Sequence, residues 1–275
     1  KGKEFFSKEY WGYALRIGIP IVPHYLSGII LNQGDRIMID KMVGKTEVAL
    51  YGLAYSIGML VQLFISGMNS ALTPWMYSKI KKGDIRSMRK VLQLLSIVVV
   101  GIAVALMLIS PELVLIFGSP KYREAVYVIP PVAASVFFIF IYNILSMPQF
   151  YYEKTQFLMA ASMAAAGANV VLNFIFIRLF GYIAAGYTTL ACYMLYSVGH
   201  YIVSKRILVN EGIQENLMNP GFLVACSVFL IGASIICNLI FPYRILRYAI
   251  LLASAGLVFW KKELLLKTMA DIRKK

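Results

Sequence analysis

Apolar residues in this chain gather into blocks of about 18–25 positions, with charged residues confined to the gaps between them. Residues 91–108 and 222–241 are examples. At 1.5 Å per residue, a helix of that length crosses roughly 30 Å of hydrocarbon. Reading each block between its charged breaks predicts eight helices, over about 13–38, 48–76, 91–116, 125–150, 157–180, 183–203, 222–241 and 245–260. The first two exceed a minimal crossing and call for tilt, a kink or exit from the bilayer. The predicted fold class is an all-α polytopic membrane protein of about eight transmembrane helices.

Two segments carry the signature of a membrane surface. In the first, residues 1–12 and their flank place Phe5, Phe6, Tyr10, Trp11 and Tyr13 among Lys8 and Arg16. Aromatic rings and basic tips are both satisfied in the headgroup zone. In the second, residues 79–90, a Gly83-Asp84 break precedes Ile85, Met88 and Leu92 at helical spacing, opposite Arg86, Arg89 and Lys90. Asp84 is placed to cap that turn, and the pattern predicts a short helix lying on the inner leaflet. The longest connection, around 208–220, leaves no room for a soluble catalytic domain.

Composition agrees with the block pattern: 60% of the 275 residues are hydrophobic and 15% charged, with a mean hydropathy of +0.72. Soluble domains carry about 25% charged residues. The net charge of +14 invites a nucleic-acid reading, but the basic residues sit at the ends of apolar blocks. With a cytoplasmic N-terminus, nineteen of the 27 basic residues fall on inner segments. That is the positive-inside pattern, and it puts both termini in the cytoplasm with no nucleic-acid partner. Cys192, Cys226 and Cys237 lie within apolar blocks, and their odd count and irregular spacing suit buried packing rather than a metal site or disulfides. The chain opens Lys-Gly-Lys without an initiator Met, so a natural N-terminal portion is expected to precede it.

Polar residues inside a span cost about 2.5–3.5 kcal/mol each when charged, so each needs a reason. The first predicted helix carries most of them. His24, Gly28, Leu31 and Asp35 share one face at i, i+4, i+7 and i+11, and Tyr25, Ile29, Asn32 and Arg36 follow beside it. This stripe, about 16 Å long, has Pro20 and Pro23 near its inner end, where lost backbone donors loosen a helix. A polar-striped, proline-bearing helix suits a cavity wall. The competing readings are an Asp35–Arg36 pair at the outer interface and His24 as a hydrogen-bonded packing residue. Asn169 and Asn173 are read as structural contacts across helices, and His200, beside Tyr201, as interfacial. Asp35 is the one acid assigned to a helix. Paired carboxylates, nucleophile elbows, Walker loops and His/Cys metal spacings are absent from the sequence, so no enzyme is expected.

Two stretches resemble a known family. IPIVPHYLSGIILNQGDRIMID, VALYGLAYSIGML and TPWMYSKI look like the seventh and eighth helices of the oligosaccharide flippases (Wzx-type) of the multidrug/oligosaccharidyl-lipid/polysaccharide exporter superfamily. The carrying residues are Pro20, Pro23, Asp35-Arg36, Tyr51, Ala54-Tyr55 and Pro74-Trp75, with Ala49 where the family often has Gly. YYEKTQF and GANVVLNFIFIRLFGYIAAGYTTL, with Asn169, Asn173, Gly181, Ala184-Ala185 and Thr188-Thr189, are similar to its tenth-to-twelfth helix region, and SPKYREAVYVIPP to the loop before it.

The resemblance implies the second lobe of a MATE-like two-lobed transporter. A six-helix lobe would span 13–206 and two extra helices with a basic tail would span 207–275, in a bacterial inner membrane. It implies an N-terminal six-helix lobe as partner alongside membrane lipids. It implies export of a polyprenyl-diphosphate-linked oligosaccharide for O-antigen, capsule or exopolysaccharide assembly. A cation-coupled multidrug exporter and a peptidoglycan-precursor flippase are the alternatives. No cofactor is expected beyond a coupling H+ or Na+. An anionic diphosphate and a polar sugar need cations and hydrogen-bonding groups, so the substrate-binding candidates are Arg36, Asp35, His24, Asn32, Gln33, Tyr51, Tyr55 and Asn69.

Overall fold

A computed structural model describes residues 7–260 of the chain. Among them are nine α-helices and no strand: α1 (Lys8–Met42), α2 (Lys45–Gly58), α3 (Leu60–Lys81), α4 (Ile85–Phe117), α5 (Ile129–Tyr151), α6 (Thr155–Phe180), α7 (Ile183–Asn210), α8 (Pro220–Ile240) and α9 (Arg244–Trp260). A 3-10 segment, Pro120–Val128, leads into α5. The spans α1, α2 with α3, α4, α5 with its 3-10 lead, α6 and α8 are each long and apolar enough to cross a membrane. α7 has the length, at 28 residues, but carries a polar face. α9 has 17 residues, about 26 Å. The chain is therefore an all-α, multi-pass membrane protein.

α5 is the centre. Its sequence is apolar on every side, which is the composition of a helix surrounded by others, and Val132–Ile141 are all buried. α7, α4, α3 and α8 pack around it. α1 stands at the periphery, held mainly by α6 and, toward its C-terminal end, by α2. Only Pro20, Ser27, Leu31, Asp35 and Ile39 of α1 are buried, a single stripe at i, i+7, i+11, i+15 and i+19.

The structure corrects several sequence expectations. The predicted second helix is two. α2 ends at Gly58 and α3 begins at Leu60, and Gly58 lies so close to α5 that an added Cβ would sit 2.7 Å from Val132 Cγ1. The predicted fourth helix begins as a 3-10 turn, since Pro130 and Pro131 fill the first positions of α5, where missing N–H groups cost nothing. No separate surface helix forms over 79–90. Asp84 does cap the turn, accepting from Ser87 N at 3.3 Å, but the helix it starts is α4 itself, which runs unbroken to Phe117.

Residues 8–12 are likewise the opening turns of α1, with no break before Tyr13. Phe5 and Phe6 lie outside the described residues. Tyr13 Oη donates to Glu153 Oε1 at 2.5 Å, joining this end of α1 to the α5–α6 turn. α1 stays helical through Pro20 and Pro23, and Ser27 Oγ donates to Pro23 O at 2.7 Å. Asp35 is not the one helical acid. Glu112, in α4, makes a two-pronged pair with Arg247 of α9 at 2.8 Å for each contact. Charge and chain direction hid this pair, because its members are 135 residues apart.

Candidate functional site

Asp35 is fully buried with three side-chain donors around it. Tyr51 Oη of α2 donates to Oδ2 at 2.5 Å, Thr189 Oγ1 of α7 to Oδ2 at 2.7 Å, and Asn173 Nδ2 of α6 to Oδ1 at 2.5 Å. Asn173 Nδ2 also reaches Asn169 Oδ1 at 3.1 Å, and its own Oδ1 accepts from Thr188 Oγ1. One carboxylate thus ties α1, α2, α6 and α7 together. The geometry follows from the helical repeat: Asn169 and Asn173 stand one turn apart on the face of α6 that packs on α1.

One turn toward the N-terminal end of α1, Asn32 forms a second node. Its Oδ1 accepts from Tyr55 Oη at 2.8 Å and Tyr193 Oη at 3.2 Å, and its Nδ2 donates to Gly28 O at 2.8 Å. Further along, His24 Nδ1 and Tyr196 Oη are 3.0 Å apart. Between α1, α5 and α7 lies a cavity of about 470 Å³, whose lining includes His24, Gly28, Asn32, Gln33, Tyr142 and Tyr193. Gly28 leaves room here, since a Cβ built on it would meet nothing within 4 Å. Tyr142 leans on Tyr196, with ring centroids 4.5 Å apart.

The nominated residues separate into three groups. Asp35 and Tyr51 are buried and engaged with each other. His24, Asn32, Gln33 and Tyr55 lie on or beside the cavity wall. Arg36 turns away from Asp35, contrary to a local ion pair: it donates to Gln33 Oε1 and lies over the Tyr55 ring, 5.0 Å from its centroid. Arg36 stands behind Gln33 rather than on the cavity lining, and Asn69, on α3, does not line the cavity either. Asn173 bonds across helices to Asp35 of α1 and Thr188 of α7, and Asn169 bonds to Asn173 within α6.

His200 is not interfacial. It is completely buried, with Nδ1 2.7 Å from Gln149 Nε2 and its ring 4.5 Å from that of Tyr196. Sequence reasoning also missed Thr189, Tyr193 and Tyr196. With His200 they stand at i, i+4, i+7 and i+11, the same spacing as His24 to Asp35 on α1. Counting tyrosine as apolar concealed that second polar stripe.

None of the described residues form a cluster of three or more His, Cys, Asp or Glu able to hold a metal ion. The three cysteines are free.

Comparison with known proteins agrees with this architecture. The chain is 28% identical over 172 residues to the Lsg locus protein 1 of Haemophilus influenzae, covering 58% of this chain and 41% of that one. It is 30% identical over 165 residues to an uncharacterized membrane protein of the same organism, covering 56% and 39%. The matches thus span about two-fifths of the length of these relatives. No solved structure matches at comparable significance. The MatE family model matches residues 20–175, more than half the chain and the whole stretch from the prolines of α1 through Asn173. The chain belongs to the MatE family.

Proposed function

We propose that this chain is one lobe of an exporter that moves a polyprenyl-diphosphate-linked oligosaccharide across a bacterial inner membrane by alternating access, with a second six-helix lobe facing the cavity. Family membership supports transport. The observation that carries the substrate class is the contrast between Asp35 and Arg36. Both oxygens of Asp35 are taken up by Tyr51, Thr189 and Asn173, so the acid is not offered to the cavity. Arg36 engages Gln33 and the Tyr55 ring, and guanidinium has five N–H donors to share with an anion. Asn32, Gln33 and the tyrosines supply the hydrogen bonds a sugar needs. A cationic drug would require the reverse polarity.

The buried Asp35, with no cationic partner in contact, is in this reading the site for a coupling H+ or Na+, since an intramembrane acid demands a compensating charge. Deleting the gene tests the proposal. The deletion strain should accumulate the lipid-linked oligosaccharide on its cytoplasmic leaflet and lose surface polysaccharide. Unchanged surface polysaccharide, with new sensitivity to cationic dyes, would instead support the multidrug alternative.

A further inference from the structure

We propose that the face of α7 beside the transport cavity holds an anionic glycerophospholipid, with its phosphate on Lys205 and Arg206 and one acyl chain in a groove between α5, α7 and α8. α7 has two distinct stripes. Tyr193 and Tyr196 turn toward α1 and the cavity, and His200 continues that stripe, buried against Gln149 of α5. Met194, Val198, Tyr201 and Lys205, at i, i+4, i+7 and i+11, lie roughly a third of a turn away.

The second stripe borders two hollows that meet at Tyr201. One is a groove of about 170 Å³ bounded by Phe138 and Ile141 of α5, Met194 and Val198 of α7, and Leu223 and Val224 of α8. The other, about 450 Å³, is formed by the last turns of α7 and includes Lys205 and Arg206.

The chemistry of each hollow selects its half of the ligand. Two serines touch the groove, but both hydroxyls are spent on backbone carbonyls. Ser197 Oγ lies 2.9 Å from Phe138 O and from Tyr193 O, and Ser227 Oγ donates to Leu223 O at 2.7 Å. Apart from the Tyr201 hydroxyl, where the two hollows meet, the groove has no spare donor, so it receives hydrocarbon rather than sugar. At the other end Lys205 and Arg206 are exposed, and among the described residues neither enters an ion pair. The neighbouring Arg89, by contrast, is occupied by Glu215 at 3.8 Å and Asn216 O at 2.7 Å. The two unneutralised cations call for an anion. From Met194 to Arg206 is twelve residues, about 18 Å, close to one leaflet of a roughly 30 Å core. That length fits a single acyl chain hanging from a headgroup at the C-terminal end of α7.

The test is photo-crosslinking of the full chain in nanodiscs with lipids carrying a diazirine on one acyl tail. Phosphatidylglycerol should label α7 and α8 residues of the groove at least tenfold more than phosphatidylcholine. The Lys205→Gln/Arg206→Gln variant should fall to the phosphatidylcholine level, a loss of about tenfold to thirtyfold for two basic residues. Lys205→Arg/Arg206→Lys should retain the labelling. Equal labelling by the two lipids, or labelling indifferent to charge removal, would overturn the proposal. Displacement of phosphatidylglycerol by an equimolar polyprenyl phosphate would also overturn it, by making the groove part of the cargo path.

Discussion

Asp35 and Arg36 are adjacent in sequence yet serve different networks, so their substitutions should leave different signatures. Asp35→Asn confronts the Tyr51 and Thr189 hydroxyls with an amide in place of an acceptor-only group. It should destabilise the chain by about 1–3 kcal/mol, read as a lower thermal midpoint in detergent. Arg36→Ala touches only Gln33 and Tyr55 and should leave the midpoint nearly unchanged. If Arg36 binds diphosphate, that substitution removes a charge-assisted bond worth roughly 1.5–3 kcal/mol, a tenfold to hundredfold loss of substrate affinity. Arg36→Lys should retain part of it, because charge survives and the planar fork does not. The Asp35→Asn/Arg36→Gln double variant should show both defects with no rescue. Restored transport in that variant would mean that the two side chains neutralise each other after all.

At the scale of elements, two close contacts decide how helices meet. The absent side chain of Gly58 lets the end of α2 pass against Val132. Gly58→Ala should cost about 1–3 kcal/mol by overpacking, despite alanine's better helix propensity, and a rise in thermal midpoint would contradict that account. Glu112 and Arg247 clasp α4 to α9, and Arg247 Nη1 also donates to Leu108 O at 2.6 Å. Glu112→Gln leaves the buried guanidinium without its counter-charge. Limited proteolysis should then cut the connection before α9 faster than in the parent protein, and equal rates would argue that the pair is ornamental.

These contacts also mark what the sequence could disclose. Hydrophobic blocks show where helices are, because lipid punishes every charged residue along a span. They do not show where a helix breaks against a neighbour, since Gly58 matters only through Val132, seventy-four residues away. The cavity wall on α1 was legible because His24, Asn32 and Gln33 are polar enough to stand out. Its opposite wall was not, because Tyr193 and Tyr196 read as apolar until their hydroxyls find Asn32 and His24.

For the whole molecule, the charge pattern predicts orientation and the family predicts a second lobe. In intact cells, single cysteines at Lys82 and Lys205 should be shielded from an impermeant thiol reagent, and one at Lys121 labelled. Labelling at Lys82 would invert the topology. Expressed alone in a flippase-deficient strain, residues 1–275 should not restore export, and with an upstream six-helix lobe they should. Export by the isolated chain as a monomer would remove the need for a facing lobe.

The proposed function requires this cavity to serve a diphosphate-linked sugar rather than a cation. It is tested most directly by competition binding to the purified two-lobed protein, using a radiolabelled polyprenyl-diphosphate oligosaccharide and an ethidium-like cation. Saturable binding of the glycolipid is expected, weakened about tenfold to a hundredfold by Arg36→Ala and undisturbed by excess cation. Saturable cation binding that depends on Asp35 and is indifferent to Arg36 would contradict it.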